Sequence, residues 1–347
     1  MLADDVAFVV GVDTHADSHA LAVVEVASQR TRRSLTVPAT RRGYRQALRL
    51  ARGYAPGRRA WALEGSGCYG AGLARFLSAR GECVLEVERP SRVGRQGRLK
   101  SDALDAERAA RQVLAGSAGA LPRLGHDTQA LRALLSTREG AVRASTAALN
   151  ELRALIVTSP PELRERLRGR SEATLLCACV RLRPGRSDSE RAAVALALRS
   201  LALRVRQLRS EARTLETELT RRVQTLAPEL LARRGVGPIS AAAVLIAWSA
   251  PGRIRSEAAF ARLAGAAPIP ASTGKTVRHR LDRGGDRRLN RALHTIVLCL
   301  RRVDPATKTY IARRVADGKT EREAVRSLKR YLARSLFRML ETMPTTA

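Results

Sequence analysis

The chain has 347 residues, and its 63 lysines and arginines against 32 aspartates and glutamates give a formal net charge of +31 at pH 7. A surplus of this size is typical of proteins that bind polyanions, so nucleic acid is the expected partner. No apolar run approaches the roughly 18 residues that cross a bilayer, and the acidic start does not fit a secretory signal, so we expect no membrane partner. The five cysteines show neither a CxxC pair nor zinc-ligand spacing, which favours the reducing cytoplasm.

The charge is unevenly distributed along the chain. Residues 1–120 hold 19 basic and 12 acidic side chains, residues 121–230 hold 20 and 12, and residues 231–347 hold 24 and 8. Only five of the basic residues are lysine, so a GC-rich genome is an alternative explanation for the abundance of arginine. It explains the surplus less well, because half of the excess lies in the last third, as a dedicated polyanion surface requires. Aromatic residues make up 3%, which disfavours recognition by base stacking.

The first segment, residues 1–120, alternates strands and helices. Its order of elements, β-β-β-α-β-α-β-α, is typical of ribonuclease-H-like nucleases of the RuvC type, which have a mixed sheet with helices on both faces. The fold class is therefore α/β, followed by all-α segments. The predicted strands are Ala7–Val12, Ala20–Val26, Ser34–Val37, Arg59–Leu63 and Cys83–Val87, and the predicted helices are Thr40–Arg52 with Thr40 as N-cap, Tyr69–Ala79, and Asp102–Leu114 with Ser101 as N-cap.

The second segment, residues 121–230, is predicted to be helical. Two stretches, 128–156 and 201–226, place apolar residues at alternating spacings of four and three, which predicts two long amphipathic helices. A capping box of Ser187 with Glu190 is expected to begin the second helix. The helices form either a hairpin that packs on itself within one chain or a coiled-coil arm that dimerises, because a periodic seam does not name its partner.

The third segment, residues 231–347, opens with a short helix, a Gly-x-Gly turn at Gly235 and Gly237, and an apolar helix over 239–248. This is the helix-hairpin-helix pattern, in which bare turn amides contact a phosphate; Arg233 and Arg234 beside it favour that interpretation over a plain turn. We further expect a loop over 264–285, a helix over 286–302, and a helix over 320–340 that begins with a Thr320/Glu323 capping box.

Four carboxylates are expected to meet at one edge of the sheet. Asp13 ends the first strand and Glu64 ends the fourth, its expected neighbour, while Asp102 and Asp105 share a face of one helix. Four such charges repel one another unless hard divalent cations compensate them, so we predict two Mg²⁺ ions that assist phosphoryl transfer. Each acid alone has a plainer explanation, as a turn residue or a first-turn helix charge.

These motifs resemble one family. The stretches 11–15 (GVDTH), 63–67 (LEGSG) and 100–106 (KSDALDA) resemble the Asp-Glu-Asp-Asp signature of the insertion-sequence-110 family of transposases, which is related to the Piv-type DNA invertases. The similarity continues through 235–238 (GVGP), 260–268 (FARLAGAAP) and 284–293 (GGDRRLNRAL), and so covers nearly the whole chain in the right order. One departure is Gly285, where the family commonly carries Asn.

The resemblance implies a serine nucleophile. It implies an N-terminal metal domain joined to a C-terminal domain whose serine attacks DNA and becomes covalently linked to it; the matching residue here is Ser272. A serine hydroxyl needs activation, which the metal site supplies if folding or a second protomer brings the two domains together. The residues alone favour a turn residue at Ser272, and only the resemblance to the family singles it out as the nucleophile. The stretch 272–276 (STGKT) imitates a P-loop tail, but Ile269 stands where that motif needs Gly, so ATP binding is not expected.

Two further groups of residues surround these candidates. His15 and His19 lie four residues apart beside Asp13, a spacing that suggests zinc ligands on a helix. Because this segment is predicted to be a strand, a turn and a strand, we favour a role at the surface or in supporting the metal ligands without contacting the metal. A basic cluster beyond Ser272 is either a solvated face or a phosphate clamp, and we favour the clamp. The predicted nucleic-acid-binding residues are Arg233, Arg234, Gly235, Gly237, Lys275, Arg278, Arg280, Arg283, Arg287, Arg288 and Arg291.

The sequence therefore predicts a transposase or site-specific recombinase of an insertion sequence, which cuts and rejoins DNA by Mg²⁺-dependent transesterification in the bacterial nucleoid. The resemblance also implies a structured bridge RNA as guide and a dimer or tetramer. The alternatives are a RuvC-like Holliday-junction or structure-specific endonuclease that hydrolyses with water, and a DNA-binding scaffold without catalysis. The predicted domains are 1–120 for metal binding and catalysis, 121–230 for the coiled coil, and 231–347 for the serine and the basic surface.

Overall fold

A computed structural model describes residues 6–87, 101–116, 121–122, 126–185, 189–271, 279–280, 282 and 284–343. The chain divides into two compact units, one of Met1–Gln129 with Trp248–Ala259 and the other of Ala130–Ala247 with Phe260–Ala347. The division into three domains at residues 120 and 230 stays a prediction. Within the described part of the chain, no helix is long and apolar enough to cross a membrane.

The first unit contains a five-stranded mixed sheet, and its predicted element order is confirmed. The elements are β1 Phe8–Thr14, β2 Ser18–Glu25, β3 Thr31–Pro38, α1 Arg41–Tyr54, β4 Arg59–Glu64, α2 Ala71–Ser78, β5 Cys83–Val87 and α3 Asp102–Leu114. The strands lie in the order β3-β2-β1-β4-β5; β1 pairs antiparallel with β2 and parallel with β4, and β5 continues the parallel part. Thr40 caps α1 as predicted, accepting a bond from the Gly43 amide, whereas Ser101 stands at the N-cap of α3 without a side-chain bond.

The two faces of the sheet bury two different cores, because successive strand residues point to opposite sides. Large side chains, among them Trp61 and Leu63, fill the face under α1 and α2. The opposite face is lined by small or short side chains and is covered by α3. The residues of this second core are Val9, Val24, Ala60, Ala62, Leu85, Val87, Ala109, Ala110 and Val113, with Ala20, Ala22 and Ala106 beside them.

Gly11 lets α3 approach β1 more closely than any side chain would allow. A Cβ atom at Gly11 would collide with the carbonyl oxygen of Ala106 and would lie 2.7 Å from the amide nitrogen of Ala110. Since both of those atoms belong to the helix backbone, neither can turn aside. Gly11 and the facing alanines therefore fix the distance between helix and sheet.

We expect Gly11→Ala to destabilise the first unit by about 1–3 kcal/mol or more, because overpacking against a backbone forces the helix away from the sheet. Chemical denaturation monitored by the buried Trp61 measures the change. The control is Gly53→Ala, at a helical position with no neighbouring atom within 4 Å of the added methyl group. That substitution is expected to be neutral or stabilising by up to about 1 kcal/mol. Equal stability of the two variants would contradict the close approach.

His19 is buried on the face under α1 and α2, not at the surface. Its imidazole is 0% exposed and stacks on Tyr44 with ring centroids 5.8 Å apart. Neither ring nitrogen has a hydrogen-bond partner of good geometry among the described residues. Burial lowers the pKa of His19 below its ordinary value of 6.5, and the Ser18 backbone opposes only part of that shift. The ring is therefore held in its neutral form.

This burial predicts a pH dependence of stability. Because the pKa of His19 is lower in the folded chain than in the unfolded chain, the unfolded chain binds more protons at this residue as the pH falls through 6.5. The free energy of unfolding should therefore decrease over that range. The variant His19→Phe keeps the stacked ring and loses the titration, and its stability should depend less steeply on pH between 7 and 5. Urea unfolding across that range measures the slope. His294→Gln, at an exposed position, should keep the wild-type slope.

The second unit is helical, and its two long helices share a core within one chain. Helix α4 is His126–Thr158, and helix α7, Glu190–Leu226, lies after α5 Pro161–Leu167 and α6 Glu172–Val180. Leu152 of α4 and Val205 of α7 belong to one buried cluster, and Arg138 bonds Glu216 across the pair at 2.8 Å. This favours the intramolecular hairpin, and the dimerising coiled coil stays a prediction. The Ser187/Glu190 capping box is wrong: Ser189 is the N-cap and Glu190 is already the first helical residue.

The rest of the second unit consists of helices and a short β-ribbon. Its elements are α8 Pro228–Ala232, α9 Pro238–Trp248, α10 Glu257–Leu263, β6 Ile269–Pro270, β7 His279–Arg280, α11 Arg287–Val303, α12 Pro305–Ala316 and α13 Glu321–Thr342. The Thr320/Glu323 capping box at the start of α13 is confirmed. The helices α10 and α12 were not predicted.

Candidate functional site

The ends of β1 and β4 carry two of the predicted carboxylates on the face covered by α3. Val12 pairs with Leu63 in the parallel register, so Asp13 and Glu64 come next on adjacent strands. The alternation that buries Ala62 under α3 points Glu64 to the same side. The Thr14 hydroxyl donates to the Glu64 carbonyl oxygen at 2.7 Å, which ties the two strand ends together.

The first turn of α3 brings Asp102 to this strand end. The His15 Nε2 atom lies 3.0 Å from an Asp13 carboxylate oxygen and 3.6 Å from an Asp102 oxygen. One ligand atom from each of the three residues lies within 4.8 Å of the other two. Asp13 is buried, whereas the side chain of Asp102 is 59% exposed, so the group is open to solvent from the helix side.

Among the described residues, the other two predicted acids, Glu64 and Asp105, lie outside the group of Asp13, His15 and Asp102. Asp105 forms an ion pair with Arg108 on α3, and Glu64 is half-buried at the end of β4. His15, in contrast, was expected either to lie at the surface or to support the metal ligands without contacting the metal. Its ring nitrogen lies beside both carboxylates, which makes it a third candidate ligand. The motif GVDTH contained the signal, because a histidine two residues after a strand-end aspartate lies at the same edge.

The donor atoms of Asp13, Asp102 and His15 fit a divalent cation. Carboxylate oxygens are the ligands that Mg²⁺ and Mn²⁺ prefer, and an imidazole nitrogen is tolerated by Mn²⁺ and other transition metals. The close approach at Gly11 holds the helix that carries Asp102 against the strand that carries Asp13. The site is thus built on two regular elements.

Two family models match the chain at its two ends. A model of the IS110-type DEDD transposases matches residues 10–161, which include Asp13, Glu64, Asp102 and Asp105, and a model described as the transposase IS116/IS110/IS902 family matches residues 227–312. The chain belongs to the IS110 family of transposases. The two matched regions contain the motifs on which the resemblance in the sequence was based, in the same order.

A curated relative supports the same family. The insertion element IS110 uncharacterized 43.6 kDa protein of Streptomyces coelicolor is 33% identical to this chain over 144 residues, which are 41% of this chain and 36% of that protein. The match therefore spans about a third of the length of the relative.

The serine segment of this IS110-family chain lies between β6 and β7. Ser272, Lys275, Arg278 and Arg283 lie outside the described residues. The ribbon that flanks them is anchored through two glycines with positive φ, Gly265 and Gly285. A Cβ at Gly285 would lie 2.5 Å from the Leu263 carbonyl oxygen, so glycine in place of the family's Asn accompanies a backbone contact too close for a side chain.

The predicted arginines of α11 and β7 have different surroundings. Arg288 and Arg291 both form ion pairs with Glu139 of α4, and Arg288 also donates to the Ser136 hydroxyl at 2.9 Å. Arg287 and Arg291 line one cavity, and Arg280 lines the adjoining one. The phosphate clamp stays a prediction for all four.

A basic groove runs between α11 and α13 and towards the ribbon. Its two cavities, of about 790 and about 330 Å³, share Asp282, Arg326 and Lys329. The contribution of α13 was not predicted, although the spacing of its basic residues at i, i+4, i+7 and i+8 on an amphipathic helix indicates one basic face. The basic residues of α13 that line this groove are Arg322, Arg326, Lys329 and Arg330.

The Gly-x-Gly turn packs against α11 and α13. Gly235 has φ +83°, and a Cβ there would lie 3.1 Å from a Leu300 side-chain atom. Arg233 is turned inwards, donating to the Ser335 hydroxyl at 2.8 Å, and burial lowers its pKa. Arg234 is exposed, 3.6 Å from an Asp304 oxygen, and Gly237 has open space around it. The helix-hairpin-helix assignment stays a prediction.

The acidic group can be tested by metal titration. We expect Asp102→Asn to weaken Mg²⁺ or Mn²⁺ binding by about tenfold or more, because one of the three donors loses its charge. Asp102 is exposed, so the fold should be unaffected. Asp17→Asn, at an exposed position on the turn between β1 and β2 that carries His15, is the control and should bind as the wild type does. Isothermal titration calorimetry measures both, and equal affinities would contradict the site.

Proposed function

We propose that this chain is the recombinase of an insertion sequence, which cuts DNA strands and rejoins them to new partners. The observation that carries the proposal is the convergence of Asp13, His15 and Asp102 at one strand end of a mixed sheet, in a chain of a transposase family. The strand order and the position of α3 support a ribonuclease-H-like domain of the RuvC type.

The proposed reaction is a transesterification at a DNA phosphate. The hydroxyl of Ser272 loses its proton, its oxygen forms a bond to phosphorus, and one P–O bond of the DNA breaks as the leaving oxygen takes up a proton. The reverse reaction with a hydroxyl of another strand restores the serine and joins the DNA. Because each step exchanges one phosphate ester for another, the cycle needs no nucleotide hydrolysis.

Asp13 and Asp102, with Glu64 and Asp105 as further ligands, would hold the metal ions of this reaction. Bound Mg²⁺, as one ion or two, stabilises the charge that develops on the attacking and leaving oxygens. The protein contributes the position of the ligands: β1 and β4 hold two of them at adjacent strand ends, and α3 brings the others from above the sheet. Thr14 keeps the strand ends in register.

The charge of the chain supports nucleic acid as its partner. The C-terminal segment combines the basic groove with Arg280 and Arg287, and we propose that DNA is bound there. We further propose a structured bridge RNA that selects donor and target, and a homodimer or homotetramer as the active form in the cytoplasm. The exposed Arg234 and the open Gly237 are proposed contacts to a phosphate.

The covalent intermediate is the decisive test. The full-length protein is expressed together with its own element and flanking DNA, denatured, purified and searched for covalently attached DNA. We expect an adduct with the wild type, its loss in Ser272→Ala because the attacking oxygen is gone, and its retention in the control Thr273→Ala. Sequencing of the attached DNA, and of RNA bound to the native protein, identifies ends, targets and guide.

Two outcomes would contradict the proposal. If Ser272→Ala still cleaves DNA with metal, the chain is an endonuclease that hydrolyses with water. If Asp13→Ala and Asp102→Asn leave recombination and its Mg²⁺ dependence unchanged, the metal site is wrong, and a DNA-binding scaffold becomes the better description.

A further inference from the structure

The groove between α11 and α13 holds more positive charge than its acids neutralise. Ten basic residues and three acidic residues line its two cavities. Several of the arginines are satisfied: Arg301 pairs with Glu321 at 2.5 Å, Arg314 with Asp317 at 3.2 Å and Arg326, loosely, with Glu323 at 3.7 Å. Of the three charged residues that line both cavities, Arg326 and Lys329 are basic and Asp282 is acidic, so the centre of the groove keeps a net positive charge.

Lys329 occupies this centre and lines both cavities. It pairs with no carboxylate in the described part of the chain, and its ammonium group donates to the Asn290 side-chain oxygen at 2.7 Å. Lys329 is half-buried, and burial together with the charge of Arg326 lowers its pKa. A lysine in this position costs stability, because it is partly dehydrated and lies close to a second cation, Arg326. A bound anion would offset that cost.

The position of Lys329 is fixed by a chain of hydrogen bonds that leads to the ribbon. Asn290, which orients the ammonium group, donates its own amide to the Ala264 carbonyl oxygen at 2.6 Å. The adjoining Gly265 would bring a Cβ within 2.7 Å of the Gly284 carbonyl oxygen, so this backbone is closely packed. Pro268 and Arg280, at the two sides of the ribbon that flanks Ser272, line the second cavity. These contacts hold the ammonium group of Lys329 in a fixed position relative to β6 and β7, the two strands that flank the serine segment.

We propose that Lys329 and Arg326 bind a phosphate of the DNA strand on which the chain acts, with Arg280 and Arg330 at the rim of the site. The inference rests on the proposed function for the identity of the strand, and on the groove alone for the phosphate. A phosphodiester fits, because it carries one diffuse charge and acceptor oxygens that two cationic side chains can share. The groove continues past Arg322 and Arg287, so the neighbouring phosphates of the same strand would follow it.

The test measures binding without cleavage. The full chain and its Lys329→Gln variant are titrated with a short labelled DNA duplex of arbitrary sequence, in EDTA, over a series of KCl concentrations. Glutamine removes the charge and retains an N–H donor on the same side of the groove. We expect binding about tenfold weaker at moderate salt, and a plot of log affinity against log salt that is shallower by about 0.9, which corresponds to one phosphate contact with a duplex. Lys308→Gln, at an exposed lysine of α12 outside the groove, should keep the wild-type affinity to within about twofold and its slope.

The outcomes separate this inference from the proposed function. Equal effects of Lys329→Gln and Lys308→Gln would overturn it, since the basic surface would then act as a whole. A loss confined to an RNA duplex of the same sequence, with DNA binding unchanged, would also overturn it. The binding assay contains no cleavage step, because EDTA removes the divalent metal, so a failed adduct experiment leaves this result standing. Circular dichroism confirms that each variant is folded.

Discussion

The absence of a side chain at Gly11 is the constraint on which the acidic site depends. It allows the backbone of α3 to rest on β1, and the facing alanines keep the helix there along its length. Because Asp13 is two residues further along β1 and Asp102 begins α3, the same contact sets how far apart these carboxylates lie. The packing of α3 on β1, one helical turn from Asp102, thus opposes the electrostatic repulsion between the two carboxylates. This is expected of a candidate metal site whose ligands are preorganised.

The second unit also places a charged group beside close backbone contacts. Asn290 orients Lys329 in a groove lined by more bases than acids, and the backbone next to Asn290 is closely packed at Gly265 and Gly285. In both units these backbone contacts are ones that only glycine permits. The acids fit a metal ion and the bases fit a phosphate, which are the two partners of the proposed strand transfer.

The sequence predicted the elements well where periodicity and caps agree. The order of strands and helices in the first unit, the N-cap Thr40 and the capping box at Thr320 follow from local patterns, and the structure has them. The start of α7 was misplaced because several serines compete there, and only the backbone shows that Ser189 is the cap. The burial of His19 could not be read from its neighbours, since it depends on α1 folding over the sheet. The roles of Arg288 and Arg291 depend likewise on Glu139, which is far away in the chain.

The exposure of Asp102 has a consequence for copies of this gene that accumulate mutations. The carboxylate stands at the solvent side of a core that does not need it, so its loss leaves the fold and the basic groove intact. If the chain is the oligomeric recombinase proposed above, a copy with that substitution would still bind DNA and assemble with intact subunits, but it could not complete the reaction. Such copies would then inhibit the intact element, so that the spread of inactive copies would itself reduce transposition.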